Sequence, residues 1–189
     1  MTTGLIVALI GLVLLLVIAF MAIGIYNNLV RLREQVRSAW AQIDVMLKRR
    51  YDLIPNLVET VKGYASHEKE TLERVMQARN AAVTARNDPA QASMAEGMLT
   101  GALRQLFAVA EAYPDLKANT NFLELQRELS NTENQISGQR QQYNNLVATY
   151  NTQILSFPAN LVAGPFGFNA QPFFEIQDTA QREAPAVRF

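Results

Sequence analysis

The sequence predicts an all-α protein: an N-terminal transmembrane helix, an elongated up-and-down antiparallel helical bundle, and an irregular C-terminal tail rich in Phe, Pro and Gly. Three observations carry this prediction. The first charged side chain is Arg31, and the stretch before it is almost continuously apolar. From Leu29 to Ile154, apolar residues return at steps of three and four, the spacing of one helix face. Alternating, strand-like patterns are almost absent.

Composition narrows the function classes. The 189 residues include 17 basic and 17 acidic side chains, so the net charge is zero. A nucleic-acid binder relying on a broadly basic surface is therefore not expected. With no cysteine, disulfides, thiolate nucleophiles and Cys-ligated metals are excluded; with one histidine, so is a multi-His metal site within one chain.

The span is read first. Gly4 to Tyr26 is 23 residues of nearly unbroken apolar character. As a helix it would be roughly 35 Å long, enough to cross a hydrocarbon core of about 30 Å with some tilt. Its leader carries no Lys or Arg and no small-x-small site precedes a polar start, so an uncleaved anchor is expected rather than a signal peptide. Tyr26 suits the interfacial belt. Arg31, Arg33 and Arg37 follow closely, whereas only the α-amino group precedes. The positive-inside rule then puts the C-terminal domain in the cytoplasm, with a periplasmic placement as the alternative.

Beyond the span, Leu29, Leu32, Val36, Ala39 or Trp40, Ile43, Met46 or Leu47, Leu53, Leu57, Val61, Tyr64, Leu72, Val75, Arg79 and Ala82 form an amphipathic seam, interrupted by Arg50 and Glu68. Either one long helix continues the span or two helices part near Tyr51–Pro55. Proline lacks an N–H and crowds the carbonyl four residues back, so a kink or break is expected just before Pro55. Asp88 and Pro89 start the next helix as N-cap and first-turn proline, with Ala95, Met98, Ala102, Leu106, Val109 and Tyr113 on its packing face. Pro114-Asp115 ends it. Asn121 with Glu124 three residues on resembles a capping box for a last helix. That helix keeps the cleanest seam in the chain: Phe122, Leu125, Leu129, Thr132, Ile136, Gln139, Tyr143, Leu146, Tyr150 and Ile154. Such a seam means lengthwise packing at shallow angles. After Phe157-Pro158, prolines and glycines deny a long helix, while Phe166, Phe168, Phe173, Phe174 and Phe189 are too many for a solvated linker. The expected organisation is an anchor over residues 1–27, a bundle over 28–157, and a tail over 158–189 that packs on the bundle or on a neighbouring chain.

Three stretches carry a resemblance: AWAQIDVMLKRRYDLIPNLVETVKGYASHEKETLERVMQARN from Ala39, YPDLKANTNFLELQRELSNTENQISGQRQQYNNLVATYN from Tyr113, and the FP…GF…FFE continuation from Phe157 to Glu175. In order and spacing they resemble the LemA family of bacterial membrane proteins. The resemblance implies a single N-terminal span followed by an up-and-down bundle in the bacterial inner membrane, and it implies no agreed activity.

Chemistry-bearing clusters are few. His67, with Glu68 and Glu70, is a candidate for the start of a metal site, but neither the HExxH nor the Glu-x-x-His order is met. An exposed or core-edge histidine on a charged helix face is the plainer reading. Lys48, Arg49, Arg50 and Asp52 form the strongest charge cluster, close to Pro55. An upright helix would hold it roughly 30–35 Å from the bilayer, beyond lipid headgroups. The expected role is structural, with Arg49 or Arg50 pairing Asp52 or a neighbouring helix. Thr132 and Gln139 occupy seam slots, where polar groups usually fix register. No nucleophile elbow or phosphate loop occurs.

These readings point to a non-enzymatic, membrane-anchored bundle that needs no cofactor and scaffolds by self-assembly. Its expected partners are the lipid bilayer and further copies of itself, with the tail phenylalanines as oligomer contacts. Two alternatives stand beside it: an accessory subunit of a second membrane protein, such as a protease or transporter, and a metal-dependent enzyme around His67.

Overall fold

The computed structural model describes residues 2–175. Its elements are α1 (Thr2–Lys62), α2 (Lys69–Ala85), α3 (Pro89–Ala110), α4 (Pro114–Lys117), α5 (Thr120–Leu155) and α6 (Asn160–Ala163), and the described residues contain no strand. Two compact units emerge, Met1–Ser38 with Asn144–Gln171 and Ala39–Tyr143 with Pro172–Phe189, so α1 and α5 each contribute to both.

The apolar stretch and the first bundle segment are one helix, which runs for 61 residues with Pro55 inside it. Of the two possibilities left open at Tyr51–Pro55, the chain takes the single continuous helix. Proline removes the N–H that would bond the carbonyl four residues back, here that of Tyr51. Arg79 of α2 supplies the missing donor, its Nε lying 3.2 Å from the Tyr51 oxygen. The chain instead reverses at Gly63–Glu68, where the helical ladder ends in turn bonds from Tyr64 and Ala65 back to the Val61 carbonyl. Tyr64 and Leu72 keep the seam in phase across this turn, which hides it from a periodicity reading.

In the second unit, α1 and α5 run antiparallel in a consistent register. The tilted rings of Trp40 and Tyr143 have centroids 5.5 Å apart, Arg50 meets Glu133, and Asn119 donates to the Tyr64 hydroxyl at 2.9 Å. The α5 seam is buried as its spacing predicts, at Phe122, Leu129, Thr132, Ile136 and Tyr143. Asp88 caps α3, accepting from the Ala90 N–H at 2.9 Å, while Gln91 donates to its other oxygen. The cap of α5 is Asn119 rather than Asn121: its Oδ1 accepts from the Phe122 N–H at 2.9 Å. The packing face of α3 is wider than the expected one: Ala95, Ala102 and Leu106 are buried as expected, Ser93, Glu96, Leu99 and Leu103 are buried beside them, and Met98 is exposed.

In the first unit, Leu29, Val36, Val147, Tyr150, Ile154, Ala159, Val162, Ala163 and Phe168 are buried. From Leu5 to Ile23 the large apolar side chains of α1 are exposed, and this is the one helix among the described residues long and apolar enough to cross a membrane.

Candidate functional site

The second unit holds the molecule's concentration of buried charge. Arg50 and Glu96 are 3 % and 0 % exposed. Arg50 projects from the seam face of α1, in phase with Ile43, Leu47, Ile54 and Leu57, so burial of that face carries the guanidinium inside. Its Nη1 donates to Glu96 Oε2 on α3 at 2.7 Å, and Nη2 donates to Thr100 Oγ1 at 3.1 Å. The same Nη1 lies 2.7 Å from Oε2 of the half-buried Glu133 on α5, a charge contact without the alignment of a hydrogen bond. Tyr51 donates its hydroxyl to the second Glu96 oxygen at 2.5 Å. One guanidinium thus ties together three helices.

Burial pushes the Glu96 carboxyl above its ordinary range, against the pull of Arg50 and the Tyr51 hydroxyl. Burial, reinforced by Glu96, also pushes the Tyr51 phenol well up, keeping it a donor. Around this core, Arg49 pairs with Glu128 on α5, and Arg86 with Asp44 at 2.7 Å. Of the predicted charge cluster, Arg49 and Arg50 therefore pair with neighbouring helices, while Lys48 and Asp52 are exposed. Glu96 had no local signal: it reads as a surface residue in an Ala- and Met-rich helix. Chemically, the cluster is a buried ion pair with an attached hydroxyl, an arrangement that can fix helix register.

His67 lies exposed in the Gly63–Glu68 turn and not on a helix face; Glu68 accepts from the Tyr113 hydroxyl at 3.2 Å. Among the described residues no group of three or more His, Asp or Glu side chains is arranged to hold a metal ion. Thr132 turns its hydroxyl back to the Glu128 carbonyl of its own helix at 2.8 Å, and the buried Oε1 of Gln139 has no hydrogen-bond partner.

The tail phenylalanines fall in different surroundings. In the first unit Tyr26 meets the rings of Phe166 and Phe168 edge-on, at 5.1 and 5.6 Å, and the Arg33 guanidinium lies over Phe168 at 5.1 Å. Gly167, at φ +70°, adopts the left-handed conformation that lets both neighbours reach Tyr26. Asn151 clamps the returning chain through paired bonds with the Gln171 backbone, at 2.8 and 2.9 Å. In the second unit Phe174 is buried against Trp40, Tyr143 donates to the Pro172 carbonyl at 2.8 Å, and Ser93 bonds the Glu175 carbonyl. Phe173 is partly exposed, and Phe189 lies outside the described residues. Of the remaining sequence-predicted residues, Arg31 bonds Asn28, and both Arg33 and Arg37 approach Glu34.

A long helix with an exposed apolar first half, leading into a bundle locked by a buried ion pair, defines an all-helical protein with an apolar N-terminal segment. The sequence pattern of the LemA family matches residues 39–189, and the chain belongs to that family. It is 29 % identical over 133 residues to Protein LemA of Metamycoplasma hominis, a match covering 69 % of this chain and 59 % of that protein. Two magnetosome proteins of Paramagnetospirillum magneticum, MamQ 1 and MamQ 2, are each 26 % identical over 186 residues, covering 84 % of this chain and 68 % of theirs. The chain thus spans 59 % of the length of its Metamycoplasma relative.

Proposed function

We propose that this protein is a non-enzymatic scaffold of the bacterial inner membrane, held by one span and built to self-assemble, with its bundle on the cytoplasmic side. The observation that carries the reading is α1 itself. The same uninterrupted helix that exposes a charge-free apolar surface from Leu5 to Ile23 also supplies Ile43, Leu47, Ile54 and Leu57 to the bundle core. Exposed apolar residues inside hydrocarbon are favourable, and in water they are a liability. Arg31, Arg33 and Arg37 beyond the span support the cytoplasmic side. The relatedness to magnetosome proteins supports a role tied to a cellular structure rather than to a soluble metabolite.

Alkaline carbonate extraction tests the anchoring. The full chain is expected to stay in the membrane pellet, and removal of residues 1–27 is expected to release it; release of the full chain would overturn the reading. For the orientation, a single cysteine at Asn87 is expected to resist impermeant thiol reagents in intact cells, and ready labelling would place the bundle outside.

A further inference from the structure

From Gln141 to Phe174 the sequence runs for 34 residues without one charged side chain. Within the first unit this stretch has two apolar faces. Ile154, Ala159, Val162, Ala163 and Phe168 are buried inward, while Leu155, Phe157, Leu161 and Phe166 stand outward, 77 %, 80 %, 65 % and 62 % exposed. An ordinary solvated turn would present polar groups on its outer face. This one lies against the end of the apolar span, since Tyr26 packs on both Phe166 and Phe168.

We infer that the turn from Leu155 to Phe166 is a second membrane contact, immersed in the headgroup–acyl boundary beside the emerging span. The inference rests on the membrane-anchored reading proposed above. The occupant is lipid because the exposed patch is continuous with the span through the Tyr26–Phe166 contact. Aromatic and large aliphatic side chains favour that depth. Arg31, Arg33 and Arg37 follow Tyr26 on the same helix and supply the cations that anionic headgroups attract. A protein partner would ordinarily be met by an apolar centre with a polar rim, and this stretch supplies no charged rim of its own.

The chain has no cysteine, so single-cysteine variants of the full-length protein report cleanly. Spin labels at Phe157→Cys, Leu161→Cys, Val17→Cys and Ser137→Cys, in vesicles of phosphatidylcholine and phosphatidylglycerol, would be tested for collision with oxygen, which partitions into lipid, and with an aqueous nickel chelate. All four positions are exposed, so labelling there leaves the core intact. Labels at 157 and 161 are expected to be several-fold less accessible to nickel than that at 137, and to favour oxygen as the label at 17 does. Nickel accessibility at 157 and 161 equal to that at 137, with 17 still in lipid, would overturn this inference and leave the span standing. Protection from both reagents with spin–spin broadening would mean contact with a second copy and overturn it equally. Nickel accessibility at 17 would overturn the membrane-anchored reading itself, and this inference with it.

Discussion

Arg79 donates to the Tyr51 carbonyl at 3.2 Å, the carbonyl that Pro55 leaves without its helical partner. A proline inside a helix ordinarily ends or bends it, because the lost bond leaves a polar group unpaired. Here a cation from α2 replaces the missing N–H, and α1 continues to Lys62. The continuation of α1 past Pro55 to Lys62 therefore rests partly on a side chain of another helix.

The relationship is testable by a double-mutant cycle. Arg79→Met is expected to destabilise the protein by about 1–2 kcal/mol, the usual worth of a half-buried, charge-assisted hydrogen bond. In a Pro55→Ala background, where residue 55 regains its N–H, the same change is expected to cost clearly less. Denaturant unfolding of the four proteins measures the coupling, and equal costs in both backgrounds would show that Arg79 does not serve the carbonyl.

The buried ion pair yields a second cycle. Arg50→Met leaves Glu96 uncompensated and is expected to cost about 3–5 kcal/mol. Replacing the group together, as Arg50→Met with Tyr51→Phe and Glu96→Leu, removes every deeply buried polar partner at once, and Glu133 at the rim reaches water. The triple variant is expected to be more stable than Arg50→Met alone. Glu96 also sets a pH dependence. Its pKa is raised in the folded state, so its favourable contribution is complete below the unfolded carboxylate range and is lost as pH rises through the folded value. Glu96→Gln is expected to flatten that part of the stability profile.

Four of the six tyrosines, Tyr51, Tyr113, Tyr143 and Tyr150, have pKa values raised chiefly by burial, that of Tyr143 to about 12. Their raised values mean that the stability they contribute is complete below the ordinary phenol pKa of about 10 and is lost as pH climbs through the folded values. In an ultraviolet alkaline titration, the native protein is expected to ionise fewer tyrosines than the urea-unfolded chain near pH 10. Coincident curves would contradict the burial.

The parts legible in the sequence are those governed by local chemistry. The seam of α5 is buried where its three-four spacing places it, and Asp88-Pro89 starts α3 because cap and first-turn proline act within one turn. The structural reading of Arg49 and Arg50 also rests on local charge and helical phase. What escaped depends on distant partners. Pro55 leaves a continuous and a parted helix equally open because nothing nearby announces Arg79, and Glu96 reads as surface because Arg50 lies 46 residues away. The caps Asn119 and Asn121 differ by two residues and share one chemistry, so only the Phe122 N–H distinguishes them. Phe168 and Phe174 look like the other tail phenylalanines in composition, yet Tyr26 and Trp40 bury them within the chain.

The scaffold reading meets its most direct test in the mass and protein composition of the complex taken from native membranes in mild detergent. A large, discrete assembly containing this chain alone is the expected result. A single-chain particle, or a complex holding a second protein in fixed ratio, would contradict self-assembly; the second result would identify the protein as an accessory subunit of that partner.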